Sequence, residues 1–285
     1  MFHHAYTLSE PIGRPLGAVF SSPHSGSAYP DDFVAASRLG ALALRASEDV
    51  FVDALFSAAP ASGAPLLAAR LPRAWLDLNR APSELDPALI EGVETQGLNQ
   101  RVSAGLGVIP RVVAEGQAIY DGKITLAEAR RRIVDYHAPY HTALDNLLRR
   151  ARREHGTAVL YDCHSMPAEA LRAAPRVRGS SPDIVLGDRF GASATRATVA
   201  AAQVAFERAG FLVARNAPFA GGYITQRYGR PSRGFEALQI EINRALYLDH
   251  RTLEPLPAFE EIRSRLDQVV LELVDAAGYR ALAAE

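Results

Sequence analysis

Ala237-Leu238-Gln239-Ile240-Glu241-Ile242-Asn243, followed by Arg244, alternates strictly in character. Leu238, Ile240 and Ile242 share one face, and Gln239, Glu241 and Asn243 share the other, which is the period of two of a β-strand. The strand is expected to be central in its sheet. A carboxylate between two isoleucines there is costly unless it is paired, metal-linked or catalytic. Burial would raise the pKa of Glu241 toward the range of a useful general base. The structural alternative is an ion pair with Arg244 or another arginine.

Working outward, residues 16–21 read as a buried strand entering the loop Ser22-Pro23-His24-Ser25-Gly26. Residues 66–69 and 74–78 read as strands, the second closed by Asp77-Leu78-Asn79-Arg80-Ala81-Pro82. Residues 158–163 form a strand that His164 ends, and 183–186 and 211–214 are further strands. Helical spacing appears over 41–56, 126–154, 192–209 and 257–277. Thr125-x-x-Glu128 is a capping box, Pro139 must kink or break the helix it lies in, and Gly156 and Gly210 are stop signals. Strands alternating with helices predict an α/β fold, a central sheet, parallel or mixed, flanked by helices. No internal repeat or flexible linker interrupts the chain, so residues 1–285 are expected to form a single domain. Residues 81–122, rich in glycine, proline and polar groups, are long for a loop and are expected to fold over the site or form a small subdomain.

The 285 residues suffice for a large core, and the net charge of −1 favours neither nucleic acid nor an anionic membrane as a partner. A single cysteine, Cys163, excludes an intrachain disulfide framework and fits a reducing compartment. Met1-Phe2-His3-His4-Ala5-Tyr6 lacks the marks of a signal peptide, and no apolar run approaches the roughly 20 residues that cross a bilayer. The expected location is cytoplasmic. Arg149, Arg150, Arg152 and Arg153 fall at a helix C-terminus, where they complement the dipole and are solvated.

Open α/β sheets keep their active sites at the carboxyl ends of strands. His24 and His164 both fall there, and Asp162, two residues before His164 on the same face, is suited to orient a metal-bound imidazole. Two histidines and a carboxylate from separate strand ends suit a catalytic zinc, although manganese, iron, cobalt and nickel accept similar sites. Glu48 and Asp49 are the candidates for the carboxylate. Adjacent helical residues point about 100° apart, so only one of them binds, and Asp49 is favoured because it shares a face with Val52 and Asp53. Arg73, Arg80, Arg227 and Arg244 cluster near strand ends and suit a carboxylate-bearing substrate, each with an ordinary salt bridge as its alternative. The loop Gly221-Gly222-Tyr223 has the freedom to close over a bound molecule. Cys163 and His164 point to opposite faces and make no dyad, and Gly105-Leu106-Gly107 lacks the context of a dinucleotide fingerprint. His137 and His141 have the spacing of a metal pair but are expected to pack among Tyr136, Tyr140 and Leu144.

Ser22-Pro23-His24-Ser25-Gly26, Glu48-Asp49-Val50-Phe51-Val52-Asp53, Asp77-Leu78-Asn79-Arg80-Ala81-Pro82, Gly105-Leu106-Gly107-Val108-Ile109-Pro110-Arg111, Ala138-Pro139-Tyr140-His141, Asp162-Cys163-His164-Ser165, Gly221-Gly222-Tyr223-Ile224-Thr225 and Gln239 through Tyr247 follow one another over most of the chain. Together they resemble the N-formylglutamate amidohydrolases, a family similar in turn to zinc carboxypeptidases and to the aspartoacylase group. The resemblance implies a zinc-peptidase-like (phosphorylase/hydrolase-like) fold with a mixed sheet. It also implies a metal held by His24, an acidic residue and His164, with Glu241 activating water and Asn79-Arg80 binding a substrate carboxylate. Carboxypeptidases carry the acidic ligand three residues after the first histidine. That position is Ser27 here, so the ligand must come from elsewhere and Asp49 is inferred. The implied reaction is hydrolysis of N-formyl-L-glutamate to formate and L-glutamate, with Tyr223 and the arginines around a small anionic substrate. The alternatives are the same chemistry on another N-acyl amino acid or a small peptide, or a non-catalytic binder of an anionic metabolite. The oligomeric state is left open.

Overall fold

The computed structural model describes residues 5–94, 97 and 99–282. Residues 1–4, on which the reading of the N-terminus partly rests, and three positions of the 81–122 stretch lie outside the described residues. Seven strands form one sheet: β1 (Tyr6–Ser9), β2 (Ala18–Ser22), β3 (Leu66–Ala69), β4 (Ala158–Met166), β5 (Ile184–Gly187), β6 (Val213–Arg215) and β7 (Phe235–Asn243), in the order β1-β3-β2-β4-β7-β5-β6. β2, β4 and β7 run parallel, β5 is antiparallel to β7, and β6 is parallel to β5. The sheet is therefore mixed and flanked by helices, the α/β fold expected. Among the described residues no helix is long and apolar enough to cross a membrane.

The chain divides into two compact units: Met1–Thr7, Pro23–Asp49 and Ala68–Ala143 form the first, and Leu8–Ser22, Val50–Leu67 and Leu144–Glu285 the second. In the second, Tyr161, Cys163, Leu238, Ile240 and Ile242 pack on one side of β4 and β7 with Val199 and Phe206 of α3 (Arg196–Arg208) and Leu266, Val270 and Leu273 of α5 (Phe259–Leu282). Because residues paired across a ladder point the same way, the other face presents Asp162 opposite Gln239 and His164 opposite Glu241. β4 is buried along its whole length and extends three residues past the expected end, so His164 lies inside the strand rather than after it.

In the first unit two expected elements are replaced. Residues 41–56 are not one helix. Ala41–Leu44 is helical, Arg45–Ser47 is a 3-10 turn, Glu48 is extended, Phe51 has φ 62°, and helix resumes only over Val52–Leu55. The amide of Asp49 donates to the carbonyl of His24 at 3.0 Å instead of to a helical partner. This tertiary bond overrides helical spacing. Residues 74–78 are not a strand but a turn in which the Trp75 and Leu76 amides donate to Pro72 and that of Asp77 to Val108. Its apolar residues are buried all the same, with Trp75 edge-on to Tyr136 and beneath the Arg132 guanidinium. A short apolar run signals burial without specifying a strand.

Thr125 caps α1 (Leu126–Arg132), accepting from the Glu128 amide at 3.2 Å, while the Glu128 carboxylate accepts from Arg131 and Arg132. The turn Ile133–His137 widens to π geometry before α2 (Ala138–His155), the adjustment expected beside Pro139, which has no N–H to donate. Gly156 follows at φ 72°. The 81–122 stretch lies in the first unit and holds a short helix, Gln100–Ser103, capped by Asn99, and a 3-10 turn at Ala114–Gly116.

Candidate active site

In the first unit the site is organised around His24, two residues past β2 and buried. The backbone there approaches another so closely that a Cβ on Gly26 would meet the Leu71 carbonyl oxygen at 2.1 Å. Only glycine fits. Nε2 of His24 lies 2.7 Å from Oδ1 of Asp77, and Nδ1 lies 3.3 Å from Oδ2 of Asp49. Asp77 also accepts from the Asn79 amide at 2.8 Å and from Arg73 Nε at 2.9 Å, with Arg80 Nε 3.9 Å away. Burial alone would push the Asp77 carboxyl up, but Arg73, His24 and Arg80 outweigh it and hold it well below the usual carboxylate range.

Asp77 is therefore ionised and can only accept, so the proton of the imidazole is on Nε2. Nδ1, on the other side of the ring, faces Oδ2 of Asp49.

The adjacent acids have different partners. Glu48 accepts from Arg45 Nε at 3.0 Å, Arg45 Nη2 at 3.1 Å and the Tyr29 hydroxyl at 2.9 Å. This forked ion pair is structural. Burial, reinforced by Glu48, pushes the Tyr29 phenol far above its ordinary range. Asp49, one residue on, faces His24.

Arg73 is engaged by Asp77. Arg80 is buried, donating from Nε to Leu106 O at 3.0 Å and from Nη1 to Asn79 O at 2.8 Å; burial lowers its pKa, against the pull of Asp77. The carbonyls of Leu78 and Arg80 accept from Nε2 of His141 and His137, each at 2.9 Å. The two histidines, whose ring centroids are 4.2 Å apart, are thus the posts on which the Leu78-Asn79-Arg80 turn hangs, a role that packing among aromatics did not suggest.

In the second unit β4 and β7 carry the polar row. His164 Nε2 lies 3.1 Å from Asp162 Oδ2, yet neither oxygen of this fully buried carboxylate has a hydrogen-bond partner. Gln239 donates from Nε2 to Glu241 Oε1 at 2.7 Å and accepts from the Gly222 amide at 2.7 Å. Arg244 Nε donates to Ser165 Oγ at 2.9 Å. Tyr223 opens α4 (Tyr223–Tyr228), and its hydroxyl accepts from Arg227 at 2.9 Å. Arg227, Arg149, Arg230 and Arg233 line a cavity of about 370 Å³ beside Phe235, the first residue of β7; Glu241 is six residues farther along the strand. Cys163 is buried on the apolar side, its thiol pushed well up by burial and by Asp162, as befits a packing residue.

The structure shows three groups that sequence reasoning missed: Asp77 as the partner of His24, the His137–His141 posts, and Gln239. Asp77 and Gln239 both stood inside the quoted motifs, the latter on the polar face of the alternation.

An α/β sheet with imidazoles, carboxylates and amides along one face of its central strands suits the chemistry of a hydrolytic enzyme. The sequence pattern of N-formylglutamate amidohydrolase matches residues 16–248. The chain is 30% identical over 273 residues to an N-formylglutamate deformylase of Pseudomonas aeruginosa, covering 94% of this chain and 95% of that protein. It is 30% identical over 275 residues to one of Pseudomonas putida, covering 94% of each. The crystal structure of an N-formylglutamate amidohydrolase from Ralstonia eutropha JMP134 superposes with a TM-score of 0.89 at 36% identity, over 95% of this chain and 97% of that one. The chain belongs to the N-formylglutamate amidohydrolase family.

Proposed function

We propose that this chain hydrolyses N-formyl-L-glutamate to formate and L-glutamate. In this reading His24, Asp49 and His164 hold a divalent metal ion, zinc foremost, and Glu241 is the general base. Family membership supports the substrate, since the Pseudomonas relatives carry that name. The observation that carries the metal is His24 between two carboxylates, Asp77 at one ring nitrogen and Asp49 at the other.

The donor set fits. Two imidazoles and a carboxylate suit borderline divalent metals. Asp77 supplies the outer carboxylate that a ligating histidine needs, and Oδ2 of the buried Asp162 lies 3.1 Å from Nε2 of His164. Such an ion, when bound, supplies Lewis acidity to the formyl oxygen and lowers the pKa of water.

The chain's own residues do the rest. Glu241 takes a proton from the water whose oxygen bonds to the formyl carbon. As the carbon–nitrogen bond breaks, Glu241 returns the proton to the departing nitrogen, giving formate and the amine of glutamate. Asn79 and Arg80 take a substrate carboxylate, with Arg73, Arg244 and Tyr223 as secondary contacts. Arg227, also a candidate for a substrate carboxylate, lines the cavity at the start of β7.

The test is formate release from N-formyl-L-glutamate by purified protein, before and after chelation and after zinc is restored. Loss and recovery are expected. No release from folded, metal-loaded protein overturns the substrate. Unchanged release after exhaustive chelation overturns the metal, and near-normal turnover by metal-loaded Glu241→Gln overturns the base.

A further inference from the structure

We propose that Gln239 is a positioning residue that fixes the Glu241 carboxylate and ties it to the backbone of Gly222. The inference rests on the reading of Glu241 as general base. Gln239 and Glu241 stand two residues apart on the same face of β7, only 4% and 6% exposed. The direction of the amide is not a matter of choice. The Gly222 N–H is only a donor, so the group facing it at 2.7 Å is the amide oxygen; the amino group is thereby turned to Glu241 Oε1, also at 2.7 Å. An acceptor-only oxygen at that distance from the base would repel it. A glutamate side chain has several rotatable bonds, and one held oxygen removes much of that freedom before substrate arrives.

The far end of the relay is itself anchored. The Ala220 carbonyl accepts from the Arg189 amide at 2.7 Å, and the Gly222 carbonyl accepts from Thr225 Oγ1 at 2.9 Å. Gly187, paired with Gln239 across β5 and β7, lies so close to this segment that a Cβ on it would meet the Ala220 carbonyl carbon at 2.8 Å. Gly221, at φ 128°, would drive a Cβ to 2.6 Å from Thr225 Oγ1. Residues 220–222 are therefore a clamp seated on β5. The glycines that suggested a closing loop instead allow a tight fit, and Gln239 carries that fixed point to Glu241.

Two variants separate the bonds. Gln239→Glu still accepts from Gly222 but has no proton to donate to an ionised Glu241. Gln239→Met keeps the volume and makes neither bond. For metal-loaded protein whose melting curve is cooperative, both are expected to lower kcat on N-formyl-L-glutamate by roughly 10- to 100-fold, the scale set by a misplaced general base, with KM changed less than about 3-fold. In a Glu241→Gln background the same substitutions are expected to cause no further loss, because a residue acting through Glu241 has nothing left to act on. A purely structural role gives additive losses, and that result overturns the proposal. So does near-normal kcat in Gln239→Glu while Glu241→Gln alone is severely impaired; this leaves the general base standing. Near-normal turnover by Glu241→Gln removes the base and this inference with it. If Gln239→Met fails to fold, the Gln239→Glu arm and its double variant decide the question.

Discussion

Nε2 of His24 and Oδ1 of Asp77 meet at 2.7 Å between two side chains that are almost fully buried. The carboxylate is shared with Arg73 and the Asn79 amide, so one group orients the histidine and shapes the turn that carries Asn79 and Arg80. Removing it should be felt in both places.

Asp77→Asn is expected to cost about 3 kcal/mol at pH 7, since it leaves buried cations without their counterion. The native pKa of Asp77 is depressed below its unfolded value of about 3.9, so its contribution is complete above that pH and is lost as the pH falls toward the native value. Urea unfolding of both proteins at pH 7 and near pH 3 should show the gap shrinking in acid. A gap that widened would contradict the assigned charge state.

Glu48 and Asp49 should separate cleanly. Glu48→Gln weakens the fork with Arg45 and is expected to lower the melting temperature while leaving bound metal unchanged. Asp49→Asn is expected to lose metal affinity by at least 10-fold, about the lower end for a disturbed metal shell. Metal content after dialysis, read by mass spectrometry, checks both; the reverse pattern would make Glu48 the ligand.

His141→Leu strands the buried carbonyl of Leu78 and is expected to cost about 1–3 kcal/mol. If the turn carries the substrate-binding Arg80, KM should rise more than kcat falls. Denaturant unfolding and steady-state kinetics on the same preparation test the two halves of this statement.

Asp53, in the first turn of the Val52–Leu55 helix, has its pKa raised by burial, against two backbone hydrogen bonds. A carboxyl that binds its proton more tightly when folded weakens the native state once ionised. Asp53→Asn is thus expected to raise the urea midpoint above the native pKa, with the gain gone below about 3.9, where both states of the wild type are protonated. A uniform effect at all pH values would point to packing instead.

β7 was legible because its two faces differ: Leu238 and Ile240 meet helices while Gln239 and Glu241 line the polar row. The helix cap at Thr125 was legible because the amide it accepts from is three residues away. The break at Glu48 was not, since the apolar spacing over 41–56 is that of a helix and the bond that interrupts it comes from His24. The apolar run at 74–78 likewise announced burial without announcing a turn.

From sequence alone came the places of β2 through β7, though not β1, together with the α/β class and the membership of His24, Asp49, His164 and Glu241 in recognisable motifs. These follow from periodicity and from patterns carried on adjacent residues. The tertiary structure alone decided which partner each group has. Asp77 reaches His24 across 53 positions, His137 reaches Arg80 across 57, and His141 reaches Leu78 across 63. Glu48 is held by Arg45 and by Tyr29, which is 19 positions away, whereas Asp49 faces His24. Hydrogen bonds of this kind depend on ångström-scale proximity created by folding, and nothing in local propensity or spacing encodes it.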